Sequence, residues 1–289
     1  MKQVTVISGK GGTGKTCLTA SLAHLGQPVV AADCDVDAAN LAILMGGLDG
    51  AHMPFFAGQR VSADLRLCRG NGDCVKICHL DAIRLGETGK VLTDPFTCDG
   101  CGACLLVCDN EALTMHENIV GVWTSRPSDT GMVVHAMLGV AQDNSGELVT
   151  RVREEALMVA RSKKLDLILV DGPPGIGQPV RAAVEGVDLV VAVSEPTSSG
   201  EHDLSRALDL SADCNVPAVV VVNKADLEPD ITKRIDALAQ AAGAPVVGHL
   251  DFDPEVPRAL ARGDLPMGVP RLEPEMERIW SKVQNSLAG

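Results

Sequence analysis

Apolar runs and polar segments alternate along most of this chain in a regular rhythm. Short β-branched stretches, Q-V-T-V-I-S-G (3–9), P-V-V-A-A-D-C-D (28–35), D-L-I-L-V-D-G (166–172), D-L-V-V-A-V-S-E-P (188–196), P-A-V-V-V-V-N-K-A-D (217–226) and A-P-V-V-G-H-L-D (244–251), are spaced by helical segments. Helices are expected near 15–26 and 147–163. Strands this uniformly apolar are buried on both faces. The pattern predicts an α/β fold: a mostly parallel sheet covered by helices on both faces, with functional groups at the carboxyl ends of the strands.

The rhythm stops between residues 58 and 118, where Cys, Gly and Asp dominate and segments are short. This predicts a small domain, 58–118, inserted into a larger one formed by 1–57 and 119–289. The insert has two similar halves, C-R-G-N-G-D-C-V-K-I-C-H-L-D-A-I and C-D-G-C-G-A-C-L-L-V-C-D-N-E-A-L, each ending in an acidic residue, Ala and a branched apolar residue. They read as an internal duplication.

Composition narrows the class. At 289 residues there is room for a large core plus an insert, and 46% apolar with 22% charged residues excludes a disordered chain. With no Tyr and 2% aromatic residues, the core is built from Val, Ile, Leu, Ala and Met. A net charge of -13 argues against a general nucleic-acid or anionic-membrane surface. Neither a secretory leader nor a run of 18 apolar residues is present, which points to a cytoplasmic protein. Ten cysteines in such a protein are metal ligands or small buried residues, and seven of them fall between 68 and 108. The C-terminal stretch places Met276, Ile279, Trp280, Val283 and Leu287 at helical spacing. That face either packs on the sheet or lies on a membrane, and Glu273, Glu275 and Glu277 oppose the second.

S-G-K-G-G-T-G-K-T (8–16) follows a strand and opens a helix, so backbone N–H groups and the helix N-terminus converge on a phosphate site. The nucleotide-contacting run is Gly11, Gly12, Thr13, Gly14, Lys15, Thr16 and Cys17, with Lys15 reaching the phosphates and Thr16 a Mg2+ ion. The N-K-x-D stretch, Asn223 to Asp226, follows a strand and is expected to meet the base; it suits guanine or adenine. C-D-G-C-G-A-C-L-L-V-C gives Cys98, Cys101, Cys104 and Cys108 the C-x2-C-x2-C-x3-C spacing of iron-sulfur proteins, with structural zinc as the rival. In the first half the same spacing has Cys68, Cys74 and Cys78, but Asn71 at the remaining position.

With Lys10 adding a second lysine to the loop, the chain resembles the deviant-Walker P-loop ATPases of the MinD/ParA superfamily, specifically those containing an inserted ferredoxin domain. D-C-D-V-D-A-A-N-L (33–41), D-G-P-P-G-I-G-Q-P-V (171–180), N-S-G-E-L-V (144–149) and S-E-P-T-S-S-G-E-H-D-L-S-R-A-L (194–208) support the resemblance. It implies a homodimer around ATP in which Lys10 stabilises phosphate charge and Asp35 orients the attacking water. Asp33 and Asp171 serve Mg2+, the Gly175 N–H senses the γ-phosphate, and Asn223 meets adenine. The two-cluster ferredoxin arrangement implies crossed ligands: Cys78, Cys98, Cys101 and Cys104 for one 4Fe-4S cluster, and Cys68, Cys74 and Cys108 for a second. Asn71 leaves that second cluster as 3Fe-4S, as 4Fe-4S with an open corner, or absent. Gln178 stands where relatives often carry Cys.

Three functions follow from the resemblance. The first is cluster carriage or maturation of a protein acceptor, the second ATP-gated electron donation to a redox partner, and the third a MinD-like positioning switch whose cluster is only structural.

Overall fold

The computed structural model describes residues 1–46, 50–139 and 145–288; Asn144 of the N-S-G-E-L-V stretch lies outside them. Along the chain run β1 (Lys2–Ser8), α1 (Lys15–Gly26), β2 (Val29–Asp33), α2 (Leu41–Leu44), β3 (Met53–Ala63), α3 (Asp73–Ile77), β4 (Ile83–Leu85) and β5 (Val91–Thr93). Then come α4 (Ala103–Leu106), β6 (Leu113–Ser128), β7 (Gly131–Leu138), α5 (Ser145–Lys163), β8 (Leu167–Pro174), α6 (Gln178–Val184) and β9 (Leu189–Ser194). The rest is α7 (Ser198–Asp213), β10 (Ala218–Asn223), α8 (Pro229–Ala241), β11 (Val246–Leu250), α9 (Glu255–Ala261) and α10 (Glu273–Ala288). Two compact units result. One comprises Met1–Met53, Trp123–Met137 and Ser145–Gly289; the other comprises Pro54–Val122 and a short segment from Leu138.

In the first unit the sheet order is β11-β10-β9-β1-β8-β2-β7, with the end of β6 beside β7. Every pair from β11 to β7 is parallel. Alternate strand residues enter opposite cores. Val4, Val6, Leu189, Val191, Val219 and Val221 pack with α1, α2 and α10, whereas Ile7, Val190, Ala192, Val220 and Val222 pack with α6, α7 and α8. This double burial is why the strands read as unbroken apolar runs. The α/β fold with a mostly parallel sheet and helices on both faces is therefore as the sequence pattern predicts. β7, with M-V-V-H-A-M-L, was not singled out from sequence although its apolar pattern is that of the others.

The apolar face of α10 packs inward: Met276, Ile279, Trp280 and Val283 are buried in the same core as α1. Gly248 of β11 makes that approach possible, because a Cβ there would sit 2.3 Å from Ile279 Cγ1. No helix among the described residues is long and apolar enough to cross a membrane.

The second unit is a duplicated structure. Gly70 and Gly100, Gly72 and Gly102, and Asp81 and Glu111 all have positive φ, each pair thirty positions apart. The hydrogen bonds repeat as well: Asp64 N–H donates to the Ala112 carbonyl (2.8 Å) and Asp94 N–H to the Ala82 carbonyl (2.7 Å), so each half ties down the other. α3 and α4 each start at a left-handed glycine. Gly100 is required twice over, since its φ is +78° and a Cβ would lie 2.4 Å from the Gln59 carbonyl oxygen.

Candidate functional site

The loop between β1 and α1 curls through Gly12 and Gly14, at φ +79° and +96°, directing the first amides of α1 toward one spot. Lys15 and Thr13 are buried in this turn. Gly14 also admits Asn223, whose Nδ2 donates to the Thr13 carbonyl at 2.8 Å; a Cβ on Gly14 would come within 2.5 Å of that nitrogen. The base-side stretch is thereby fastened to the phosphate-side loop.

Strand register assembles the acidic groups. Asp33 of β2 lies directly beside Asp171 of β8 in the parallel ladder, and both are fully buried. Asp171 accepts from the Thr16 hydroxyl (2.6 Å) and the Thr19 hydroxyl (3.0 Å). Asp33 accepts from the N–H groups of Asp35 (3.1 Å) and Leu41 (2.9 Å). Burial raises Asp171 to about 6 against the pull of its threonine bonds and of Lys15. Burial, and next the charge of Asp171, raises Asp33 too. Burial likewise raises Asp35, with Lys15 opposing. Two adjoining buried carboxylates with a hydroxyl beside them form a hard oxygen set deficient in positive charge, which fits Mg2+. The loop, Lys15, Thr16, Asp33, Asp35 and Asp171 are thus brought together at the carboxyl ends of β1, β2 and β8.

Beside the loop lies a cavity of about 220 Å3 lined by Gly12, Gly14, Cys17 and Asn223, and by Phe252 and Pro257 of the segment after β11. Asp226 reaches this wall indirectly: its carboxylate accepts from the Phe252 N–H at 2.6 Å. Burial, then Asp171, pushes the Cys17 thiol up to about 11, so it is a neutral side chain here. The Gly175 N–H donates to the Ser8 carbonyl at 3.1 Å. Residues after β11 carried no sequence signal beyond following a strand.

Lys10 is turned away from the phosphate loop. Its ammonium pairs with Glu195 Oε1 at 2.5 Å and donates to the hydroxyls of Thr197 (3.3 Å) and Ser199 (3.2 Å). Lys224 occupies the other carboxylate oxygen of Glu195 at 2.8 Å. Burial would raise Glu195, but the bonds and charges of the two lysines outweigh it and hold the carboxyl below its ordinary value.

In the duplicated unit, Cys68, Cys74, Cys98 and Cys104 are buried, Cys78 and Cys108 partly so, and Cys101 is exposed. A small cavity is lined by Cys78, Cys98, Cys101 and Cys104 together with Val61, Ile83 and Met115. Burial, followed by Cys98 and Cys101 beside it, pushes the Cys104 thiol up to about 11. Cys74 is raised by burial, then by Cys108 and Cys68. Two sets of neighbouring thiols in apolar surroundings result, one of four and one of three; this donor set is soft and suits iron-sulfur or zinc chemistry. Asn71 is exposed and its Nδ2 donates to Asp73 Oδ2 at 3.2 Å. His79 Nε2 is 3.5 Å from Asp99 Oδ2, beside Cys101.

Comparison with known proteins gives the family. The family model for the CobQ/CobB/MinD/ParA nucleotide binding domain matches residues 4–267. An uncharacterized protein of Methanocaldococcus jannaschii is 31% identical over 230 residues, covering 77% of this chain and 78% of that protein. An iron-sulfur cluster carrier protein of Pyrococcus horikoshii is 24% identical over 279 residues, covering 93% and 78%. Among solved structures, the septum site-determining protein MinD complexed with Mg-ADP from the same organism superposes with a TM-score of 0.58 at 17% identity, covering 100% of this chain and 97% of that one.

Proposed function

The chain belongs to the CobQ/CobB/MinD/ParA nucleotide-binding family, and on that premise we propose that it is an ATP-hydrolysing, dimeric switch whose nucleotide state controls iron-sulfur clusters. The task is cluster carriage to, or maturation of, a protein acceptor. One observation carries the reading: thiols from both duplicated halves, Cys78 with Cys98, Cys101 and Cys104, line one cavity in a chain that also has the buried carboxylates Asp33 and Asp171 with the Thr16 hydroxyl on Asp171.

The phosphates lie against the 11–16 loop, with Lys15 compensating their charge and Thr16, Asp33 and Asp171 serving Mg2+. Asp35, held near Lys15 and raised in proton affinity, orients the attacking water. Adenine fits the cavity beside Asn223. The Phe252 N–H fixes one oxygen of the Asp226 carboxylate at the base wall, and ATP is preferred over GTP on the family resemblance.

A 4Fe-4S cluster on Cys78, Cys98, Cys101 and Cys104 supplies one-electron chemistry and transferable iron and sulfide. Cys68, Cys74 and Cys108 hold a second cluster lacking a thiolate at position 71, the corner suited to loss or exchange. A relative named as an iron-sulfur cluster carrier supports this task. The second reading is ATP-gated electron donation, for which the two thiol sets share one hydrophobic core.

Anaerobic iron and acid-labile sulfide quantitation with EPR tests the proposal. Both elements should be bound in cluster stoichiometry, and Asn71→Cys should convert a three-iron signal to a four-iron one. Zinc without sulfide would overturn the cluster assignment.

A further inference from the structure

The segment E-P-T-S-S-G after β9 has no part in the phosphate site as described so far, yet it is built around one ammonium group. Glu195 sits at the end of β9 with its side chain 13% exposed. Thr197 is the N-cap of α7: its hydroxyl accepts from the Gly200 N–H at 2.9 Å, which fixes it next to Ser199 Oγ at 3.2 Å. Gly200 allows the turn to close, as a Cβ there would be 2.2 Å from the Glu195 carbonyl oxygen. Gly9 brings the phosphate loop against α7 so closely that its own Cβ would fall 2.2 Å from Asp203 Cβ. Three oxygens, from Glu195, Thr197 and Ser199, then meet the three N–H donors of Lys10.

We propose that Glu195, Thr197 and Ser199 form a socket that retains Lys10 within its own subunit, and that Lys224 weakens the socket by sharing the Glu195 carboxylate. This rests on the reading of Lys10 as a phosphate-stabilising group. An ammonium neutralised by a carboxylate at 2.5 Å offers little charge to a phosphate, so Lys10 must leave the socket to act. Glu195 is thus a positioning residue that sets the threshold for nucleotide-driven dimerisation. Lys224 links that threshold to the base side, because it follows Asn223, which holds the Thr13 carbonyl, and lines the same cavity.

The direct test is amine labelling of the nucleotide-free full chain with an acetylating reagent, with Lys10 quantified by mass spectrometry. Glu195→Gln should label Lys10 roughly three- to fivefold faster than the wild type, the scale expected for losing one partly exposed ion pair. Lys224→Met, which leaves Glu195 to Lys10 alone, should label it more slowly. Equal labelling in wild type and Glu195→Gln, or faster labelling in Lys224→Met, overturns the socket. Light scattering against ATP concentration gives the second readout: Glu195→Gln should dimerise at lower ATP, and an unchanged or higher midpoint also overturns it. Failure of the underlying reading looks different: Lys10→Ala would then hydrolyse ATP and dimerise like the wild type whatever the labelling shows.

Discussion

His135 shows how a single residue's surroundings translate into a measurable pH dependence. It lies on β7 beside Asp33 of β2, is 8% exposed, and its Nε2 has no hydrogen-bond partner among the described residues. Burial, reinforced by Arg126 and His52, lowers its pKa to about 4 from 6.5. The folded state therefore keeps the ring neutral while the unfolded chain takes up a proton. The stability it supports is complete above 6.5 and is lost as pH falls through the folded value of about 4, by an amount on the order of 3 kcal/mol. His135→Leu should flatten the denaturant-midpoint profile across that window; an unchanged slope would place the titration elsewhere. At the phosphate loop, Lys15→Ala should abolish ATP turnover, measured as phosphate release, because the buried Lys15 ammonium is the positive charge that acts on both Asp35 and Asp171. The loop carrying Lys15 and Thr16 was legible in the sequence as a local pattern, and its juxtaposition with Asp171 was implied there by the family resemblance. The resting place of Lys10 was not: its partner Glu195 is distant in the chain and meets it only through the packing of α7 on Gly9.

Elements were legible in proportion to how completely they are buried. Strands β1, β8, β9 and β10, covered on both faces, stand out as apolar runs, whereas β6 mixes exposed, half-buried and buried residues across its sixteen positions and gives a weaker signal. The direction of the apolar face of α10 needed the structure, because helical spacing alone fits a membrane surface as well as a sheet. Its docking makes a sharp prediction. Gly248→Ala forces a methyl against fully buried Ile279 and should destabilise the protein by about 1–3 kcal/mol in urea denaturation. In the duplicated unit, Gly100→Ala should lower bound iron per chain, because both its φ and the Gln59 carbonyl resist a side chain at the turn that presents Cys98 and Cys101.

On the scale of the whole molecule, a family fold that binds nucleotide carries a second compact unit with seven cysteines. The duplication that was readable in the sequence reappears as paired glycine turns and reciprocal backbone bonds, and it brings Cys78 of one half to Cys98, Cys101 and Cys104 of the other. Under the crossed ligation proposed above, Asn71 affects only the set of Cys68, Cys74 and Cys108. In the proposed function, cluster lability depends on nucleotide. The most direct measurement is the rate at which a ferrous chelator removes iron from the anaerobically loaded full chain, with ATP, with ADP and without nucleotide. ATP should change the rate of the faster-released fraction several-fold, and Lys15→Ala should erase that difference. Equal rates in all three conditions, in protein that still hydrolyses ATP, would contradict it.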